Sequence, residues 1–391
     1  MLIFSNATKV KPLPYAVYFI AVFAIAMCGL VVSVYLSLSH YRVYTDIGYA
    51  SFCAISRAIN CDTVSQSPFS IFWGIPVPIW GALGYAFFLL LMPFCWLREA
   101  KPTRMYTLLF WIAAVFSCIS VLLAFISSSF IESYCLMCIV TYGVNLLLWL
   151  YTWIIRRRFS SEGLIAASFE DLRFFWQKKT KTMGLLLSFV VVVILIKVFL
   201  PAYWTLAPPS LSLKIPYGIT EDGHPWIGAE SPKLVITEYA DYLCFQCRKM
   251  HYYLREIIAR YPDKIRLVHH HFPMDEEVNP LVITTFHKGS GKLSLLAIYA
   301  MVNGKFWQAN DYLYAIADRT KNFNLYQMAE ELKIDVQSLR RGIEHPKIRQ
   351  MLASDIRQGL KMGIIGTPTY VINDRVYRAG IPPEILKRGL E

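Results

Sequence analysis

Three pairs of cysteines stand at spacings that permit thiol–disulfide exchange. Cys53 and Cys61 have seven residues between them, while Cys135 with Cys138 and Cys244 with Cys247 are Cys-x-x-Cys pairs. In such exchange a thiolate attacks a disulfide and passes it on through a mixed disulfide. The attacking sulfur must ionise near neutral pH, which the N–H groups and dipole of a helix start favour. For Cys244 and Cys247, a zinc site would need two further ligands at suitable spacing. Cys28, Cys95 and Cys118 lie inside apolar runs and read as small buried hydrophobes.

The pair at 135 and 138 sits in an unusual place. It opens the run "ESYCLMCIVTYGVNLLLWLYTWIIRRR", where a membrane helix should begin. The chain of 391 residues is 55% hydrophobic and 17% charged, well below the charged share of an ordinary soluble protein, roughly a quarter. Further apolar runs cover 14–39, 76–97, 106–126 and 183–204, each near the roughly 20 residues that cross a hydrocarbon core. Lys197 can snorkel from the last of them. The first run is too long for the apolar core of a signal peptide, and no Ala-x-Ala site follows it.

Charge orients these runs. Residues 1–205 carry 15 Lys and Arg against 7 Asp and Glu, whereas 206–391 carry a balanced 24 against 20. The basic excess flanks apolar runs, which favours a membrane over nucleic acid. Twelve Lys and Arg fall in the N-terminal tail, the loop "REAKPTR" and the segment 156–181, against only Arg42 and Arg57 in the alternate loops. Positive charge marks the cytoplasm, so the N-terminus is expected inside. Five crossings then carry the C-terminal half outside, and all three cysteine pairs face the oxidising side.

In the C-terminal half, "KLVITEY" alternates like a strand, "ADYLCFQCRKM" turns, and "HYYLREIIARY" reads as a helix. A strand followed by Cys-x-x-Cys at a helix start is a redox pattern. "IRLVHHHFPM" reads as a second strand, with His269 and His271 on one face and His270 on the other, and no metal site is expected there. "HKGSGKL" lacks the spacing of a phosphate loop. Residues 281–362 are mostly helical in pattern, and "MGIIGTPTYVIN" follows as a turn and strand.

On "EYADYLCFQC" and "GTPTYVIN", residues 225–391 resemble the thioredoxin-fold oxidoreductases of the DsbA type, with a helical insertion between two halves of the sheet. That resemblance implies Cys244 as nucleophile, Cys247 as resolving thiol, Pro368 as the cis-proline beside them and Glu238 as an acid assisting proton transfer. Phe245 stands where such proteins often have proline, which leaves the redox poise of the pair open. Residues 14–155 resemble the vitamin K epoxide reductase family. Cys53 and Cys61, then Ser67, then Gly-Ile-Pro at 74–76, then Cys135 and Cys138 with Tyr142 four residues on carry the match. Bacterial members are often fused to a thioredoxin-like domain.

The two resemblances imply a multi-domain membrane protein. An α-helical transmembrane bundle of four helices plus a fifth linker helix precedes an α/β thioredoxin-fold, DsbA-like domain. The expected boundaries are 1–160 for the bundle, 161–205 for a cytoplasmic segment and the fifth helix, 206–224 for a linker and 225–391 for the thioredoxin domain. The implied activity is quinone-dependent thiol–disulfide oxidation in a bacterial inner membrane, with the thioredoxin domain periplasmic. Electrons would pass from reduced secreted proteins or peptides to Cys244 and Cys247, then to Cys53, Cys61, Cys135 and Cys138, and finally to ubiquinone or menaquinone. Tyr142 and Ser67 are the expected quinone contacts. Phe69, Phe72, Trp73 and Trp80 read first as interfacial anchors and second as walls of that site. Membrane lipid is a partner, nucleic acid is not, and fusion is compatible with a monomer. The alternatives are a thiol-reducing or isomerising system, which would need redox cysteines reachable from the cytoplasm, and a vitamin K epoxide-type reductase.

Overall fold

The computed structural model describes residues 14–55, 58–96, 106–159, 163–177, 179–206, 215–283, 287–316 and 323–391. The basic N-terminal tail and the whole "REAKPTR" loop, used above for orientation, lie outside the described residues. The chain divides into two compact units, Met1–Trp204 and Thr205–Glu391.

Among the described residues, four helices of the first unit are long and apolar enough to cross a membrane: α1 (Tyr15–Thr45), α3 (Val77–Trp96), α4 (Tyr106–Ile126) and α5 (Leu136–Phe159). α1 has 31 residues, a length of about 46 Å at 1.5 Å per residue, so it outruns the hydrocarbon layer. Lipid gives apolar helices no hydrophobic reason to associate, so they join through close packing of small residues and through polar contacts. Both occur here. A Cβ on Gly29 of α1 would meet the Tyr85 ring of α3 at 2.4 Å, and one on Gly84 would meet Phe116 of α4 at 3.0 Å. Asn145 of α5 accepts from Tyr85 Oη at 2.6 Å and donates to Ser120 Oγ of α4 at 2.8 Å.

Between α1 and α3 lies a structured loop with the short helix α2 (Cys61–Gln66), a 3-10 turn at Pro68–Ser70 and the two-residue strands β1 (Ile71–Phe72) and β2 (Ile75–Pro76). Asn60 caps α2, its side chain accepting from the N–H groups of Asp62 and Thr63. Trp73 and Gly74 join the strands, both at positive φ, as a tight hairpin turn requires. α4 ends in a π-helical turn, Ser127–Ile131, and Glu132 then turns the chain in the left-handed region before α5.

The amphipathic α6 (Leu164–Gln177) and α7 (Lys179–Phe199) follow. Asp171 of α6 accepts from Leu108 N in the first turn of α4 at 3.1 Å, where a carboxylate is favoured by free N–H groups. The apolar stretch of α7, Met183–Phe199, is shorter than those of the four long helices.

The second unit is built on one six-stranded sheet in the order β3 (Tyr217–Ile219), β4 (Pro225–Gly228), β6 (Ile265–His271), β5 (Leu234–Ala240), β7 (Thr369–Ile372) and β8 (Arg375–Arg378). β5 and β6 are parallel and the other pairings antiparallel. A parallel pair needs a crossover, and α8 (Phe245–Arg260) supplies it. Among the described residues, five helices between β6 and β7 form the insertion: α9 (Ser290–Val302), α10 (Phe306–Ile316), α11 (Leu325–Leu332), α12 (Val336–Gly342) and α13 (Pro346–Lys361). The terminal helix α14 (Pro383–Leu390) follows β8. The stretch expected as linker enters the sheet, since Tyr217–Ile219 pairs with β4 as the edge strand.

Candidate functional site

Cys244 is the N-cap of α8, and its Sγ accepts from Cys247 N at 3.4 Å. The end of β5 and the first turn of α8 thus hold both sulfurs where the helix N–H groups converge. Cys244 Sγ also lies 3.5 Å from Thr367 O, and the Thr367–Pro368 peptide is cis. Both thiols are reduced and buried. The hydrogen bond from the Cys247 side chain outweighs burial, with help from the charge of His287, and brings the Cys244 pKa down to about 7. Burial, and then the adjacent Cys244 sulfur, push Cys247 well above the usual thiol range. One thiol is therefore poised to attack and the other to wait.

Asp241 sits beneath this turn. Burial pushes its carboxyl up, but His287 at 2.9 Å and the N–H groups of Met274 and Leu243 overcome that and keep it ionised. Glu238 is buried on β5, and burial raises it to about 7 against the pull of His251 and Arg255. Its Oε1 lies 2.7 Å from His269 Nδ1, and His269 Nε2 lies 3.3 Å from His271 Nδ1. Burial holds both imidazoles well below their usual range. His270 points to the other face, as strand alternation requires, and stacks on His224 with ring centres 3.7 Å apart. The ligand atoms of His224, His270 and Asp355 lie within 4.8 Å of one another. A ring nitrogen's lone pair lies in the ring plane, so two rings tilted by only 25° do not aim at a common ion as they stand.

The other four cysteines share one buried cluster in the first unit. Cys53 and Cys61 are joined as a disulfide, as are Cys135 and Cys138. Leu36, Cys53, Cys61 and Cys135 pack together, with Cys138 against them. Backbone bonds set this proximity: Asn60 N donates to Tyr134 O at 2.9 Å and Tyr134 N to Ala58 O at 2.7 Å. The residues immediately before Cys61 and Cys135 are therefore bridged. Cys138 N donates to Cys135 Sγ at 3.1 Å in the first turn of α5.

Cys138 also lines two adjoining cavities, of about 190 and about 70 Å³, which share Leu36, Val77, Pro78, Leu123 and Tyr142 in their walls. An apolar cavity of about 150 Å³ is known to take a benzene ring, so the larger one suits a single ring. Tyr142 lies one turn beyond Cys138 and faces both spaces. Ser67 lines the smaller cavity, while its hydroxyl donates to Val64 O at 2.8 Å and closes the end of α2. Trp80 lines the larger cavity and Phe69 the smaller. Phe72 and Trp73 stack on one another in the open, 59% and 75% exposed, as interfacial residues would be.

Among the polar cavity residues that escaped the sequence reading are His40 and Ser70 in the smaller space and Asn145 in the larger. Only Asn145 carried a signal, because a polar side chain inside an apolar run is expensive unless it serves the bundle or a site; His40 falls just past the run 14–39 and Ser70 lies in the loop before α3.

The sheet, the N-capping cysteine of α8 and the four clustered cysteines beside an apolar cavity define the class: a membrane protein with the domains of a thiol–disulfide oxidoreductase. Residues 20–153 match the family model described as vitamin K epoxide reductase family, and residues 220–391 match the one described as thioredoxin. The chain therefore joins a domain of the vitamin K epoxide reductase family to a thioredoxin-family domain. Among curated proteins, a Na(+)/H(+) antiporter NhaA 3 of Salinispora tropica is 26% identical over 148 residues, covering 38% of this chain and 21% of its own length. An NhaA antiporter of Herminiimonas arsenicoxydans is 24% identical over 165 residues, covering 42% of this chain and 24% of its own. This chain thus spans about a quarter or less of these relatives. Among solved structures, a thioredoxin-like oxidoreductase from Silicibacter pomeroyi is 22% identical with TM-score 0.35, covering 42% of this chain and 89% of its own. Wolbachia pipientis alpha-DsbA1 is 16% identical with TM-score 0.36, covering 44% and 91%.

Proposed function

We propose that this protein generates disulfide bonds in secreted proteins and disposes of the electrons to a membrane quinone. Two substrate thiols and one quinone become one disulfide and one quinol. Cys244 takes part in the mixed disulfide with the substrate and Cys247 resolves it. Cys53 then accepts the pair's electrons, Cys61 passes them to Cys135, and Cys138 faces the ubiquinone or menaquinone with Tyr142 and Ser67 near its carbonyl oxygens. The single observation that carries this reading is the division of the Cys135–Cys138 pair. Cys135 is packed with the loop cysteines, while Cys138 lines an apolar cavity of ring size. One end of the pair meets protein sulfur and the other meets lipid-soluble molecules.

The same reading puts the cysteine pairs on the extracytoplasmic side of a bacterial inner membrane, with α7 as the fifth crossing. The apolar part of α7 has 17 residues, the lower end of the range that spans a bilayer. Reduced secreted proteins or peptides are the substrates.

The test uses the full chain in detergent with a reduced peptide and a water-soluble ubiquinone analogue. Cys244→Ala is expected to abolish peptide oxidation and to leave dithiothreitol-driven quinone reduction intact. Peptide oxidation at the normal rate in that variant defeats the proposed order of transfer. A wild-type protein that reduces no quinone with either donor defeats the quinone assignment.

A further inference from the structure

His40 is a buried titratable group that the electron path leaves unused. It lies on α1, fully buried, with both ring nitrogens engaged. Nδ1 lies 2.9 Å from Tyr203 Oη, in the segment after α7, and Nε2 lies 3.3 Å from Ser70 Oγ. His40 and Ser70 both line the smaller cavity beside Cys138, Tyr142 and Ser67. Tyr203 is only half-buried, its ring packed on Tyr41 and Tyr44. One imidazole therefore connects a hydroxyl near the surface to a hydroxyl in the cavity wall. Imidazole is suited to this, because it takes a proton at one nitrogen and releases one from the other.

The chemistry of the cavity calls for such a connection. Conversion of quinone to quinol takes up two electrons and two protons. Closing the Cys135–Cys138 bond supplies both electrons. When the Cys61 thiolate attacks Cys135, Cys138 leaves as thiolate, so Cys135 S–H, once freed, brings one proton only. The second must enter from the aqueous side, past apolar walls.

We propose that Tyr203, His40 and Ser70 form a proton relay that delivers this second proton to the quinone oxygen. The relay rests on the quinone reading above and adds residues that neither resemblance implied. The proton passes from water to Tyr203, from Tyr203 to His40 Nδ1, and from Nε2 through Ser70 to the cavity. The other titratable groups facing His40 are Tyr44 on its own helix and Cys138 and Tyr142 across the cavity on α5. The nearby carboxylates are turned elsewhere: Asp62 of α2 accepts from Ser51 N, and Asp46 pairs with Arg42.

Two measurements on the full chain in detergent decide the matter. The first needs no quinone: nitrogen-15 NMR of histidine-labelled protein. Tyr203→Phe is expected to shift the His40 Nδ1 resonance and Ser70→Ala the Nε2 resonance. Resonances that do not move show that the relay is not connected. The second is anaerobic single-turnover oxidation of the reduced protein by decylubiquinone between pH 6 and 8. His40→Gln keeps polar atoms in the site but cannot carry the proton, and Tyr203→Phe cuts the entry. In both variants the deficit relative to wild type is expected to grow with pH, from a few-fold at pH 6 to about 100-fold at pH 8, within the usual worth of positioned proton transfer. A deficit that is constant across pH means that His40 only pins α1 to its neighbours, and the relay is wrong. Wild-type protein that passes no electrons to decylubiquinone overturns the quinone reading instead, and the NMR shifts still decide the connection.

Discussion

The thiolate at Cys244 permits a quantitative test. Its pKa falls from an ordinary value of 9.0 to about 7, chiefly through the hydrogen bond from the Cys247 side chain. At pH 7 about half of Cys244 is then thiolate, against roughly 1% of an ordinary thiol. A fall of that size is worth about 3 kcal/mol. The group is an acid whose folded pKa is depressed, so this stabilisation of the reduced form is complete above pH 9 and is lost as pH falls through 7. Favouring the reduced form makes the pair a stronger oxidant, by roughly 60 mV above pH 9 and by roughly 10 mV at pH 7. Replacing Cys247 with alanine removes the largest contribution and leaves the smaller one from His287. The Cys244 midpoint is expected to rise toward 9, with at least a tenfold loss of thiolate at pH 7. Iodoacetamide alkylation of the reduced full chain, read peptide by peptide in a mass spectrometer from pH 5 to 10, measures both midpoints. A wild-type inflection near 9, or a variant inflection still near 7, would refute the reasoning.

Two other outcomes follow from the same geometry. Burial holds Glu238 protonated up to about pH 7. A carboxyl whose folded pKa is raised gives its full stability below its unfolded value and loses it as pH rises through 7. Glu238→Gln should therefore stabilise the thioredoxin unit at pH 8, by an amount on the order of 3 kcal/mol, seen as a higher thermal midpoint, and leave the midpoint unchanged near pH 4; equal midpoints at pH 8 argue against a buried, strained carboxylate. Cys138→Ala removes the thiol that resolves a Cys61–Cys135 link, so mass spectrometry of that variant should find a Cys61–Cys135 disulfide accumulating, whereas a Cys53–Cys61 bridge alone contradicts the order of transfer.

The fold was legible where one physical signal dominated. Apolar runs of about 20 residues became the four long helices, because only a helix lets a single run satisfy its own backbone polar groups in lipid. Alternation in "KLVITEY" and the turn before Cys244 gave β5 and the start of α8, and His269 and His271 fell on one face as period-two geometry demands. β3 was not legible: three residues between prolines and glycines look like linker, and only pairing with β4 makes them a strand. The shortness of the apolar stretch in α7 was hidden for a related reason. The hydropathy of 183–204 extends past the helix, which ends at Phe199 before Pro201.

The candidate site divides along the same line. Cysteine spacing pointed to the two disulfides, Cys53–Cys61 and Cys135–Cys138, because a disulfide needs proximity that a helical turn or a short loop supplies. Spacing carried no trace of what surrounds each sulfur, and surroundings separate the roles. Cys135 and Cys138 share the N-terminal turn of one helix, yet only Cys138 lines the cavities, while Cys135 is 3% exposed and sealed among Cys53, Cys61 and Leu36. That difference comes from the loop bridged to Tyr134, more than 70 residues away in sequence. The polar residues of the cavities owe their positions to long-range packing as well. Asn145 meets Tyr85 and Ser120 from two other helices, and His40 meets Ser70, which precedes α3, and Tyr203, which follows α7. A sulfur that lines an apolar cavity and a chain of hydroxyl and imidazole groups that reaches it meet only because the fold brings such segments to one place. Losing the Tyr203 hydroxyl should therefore impair quinone reduction while leaving the Cys53–Cys61 exchange intact.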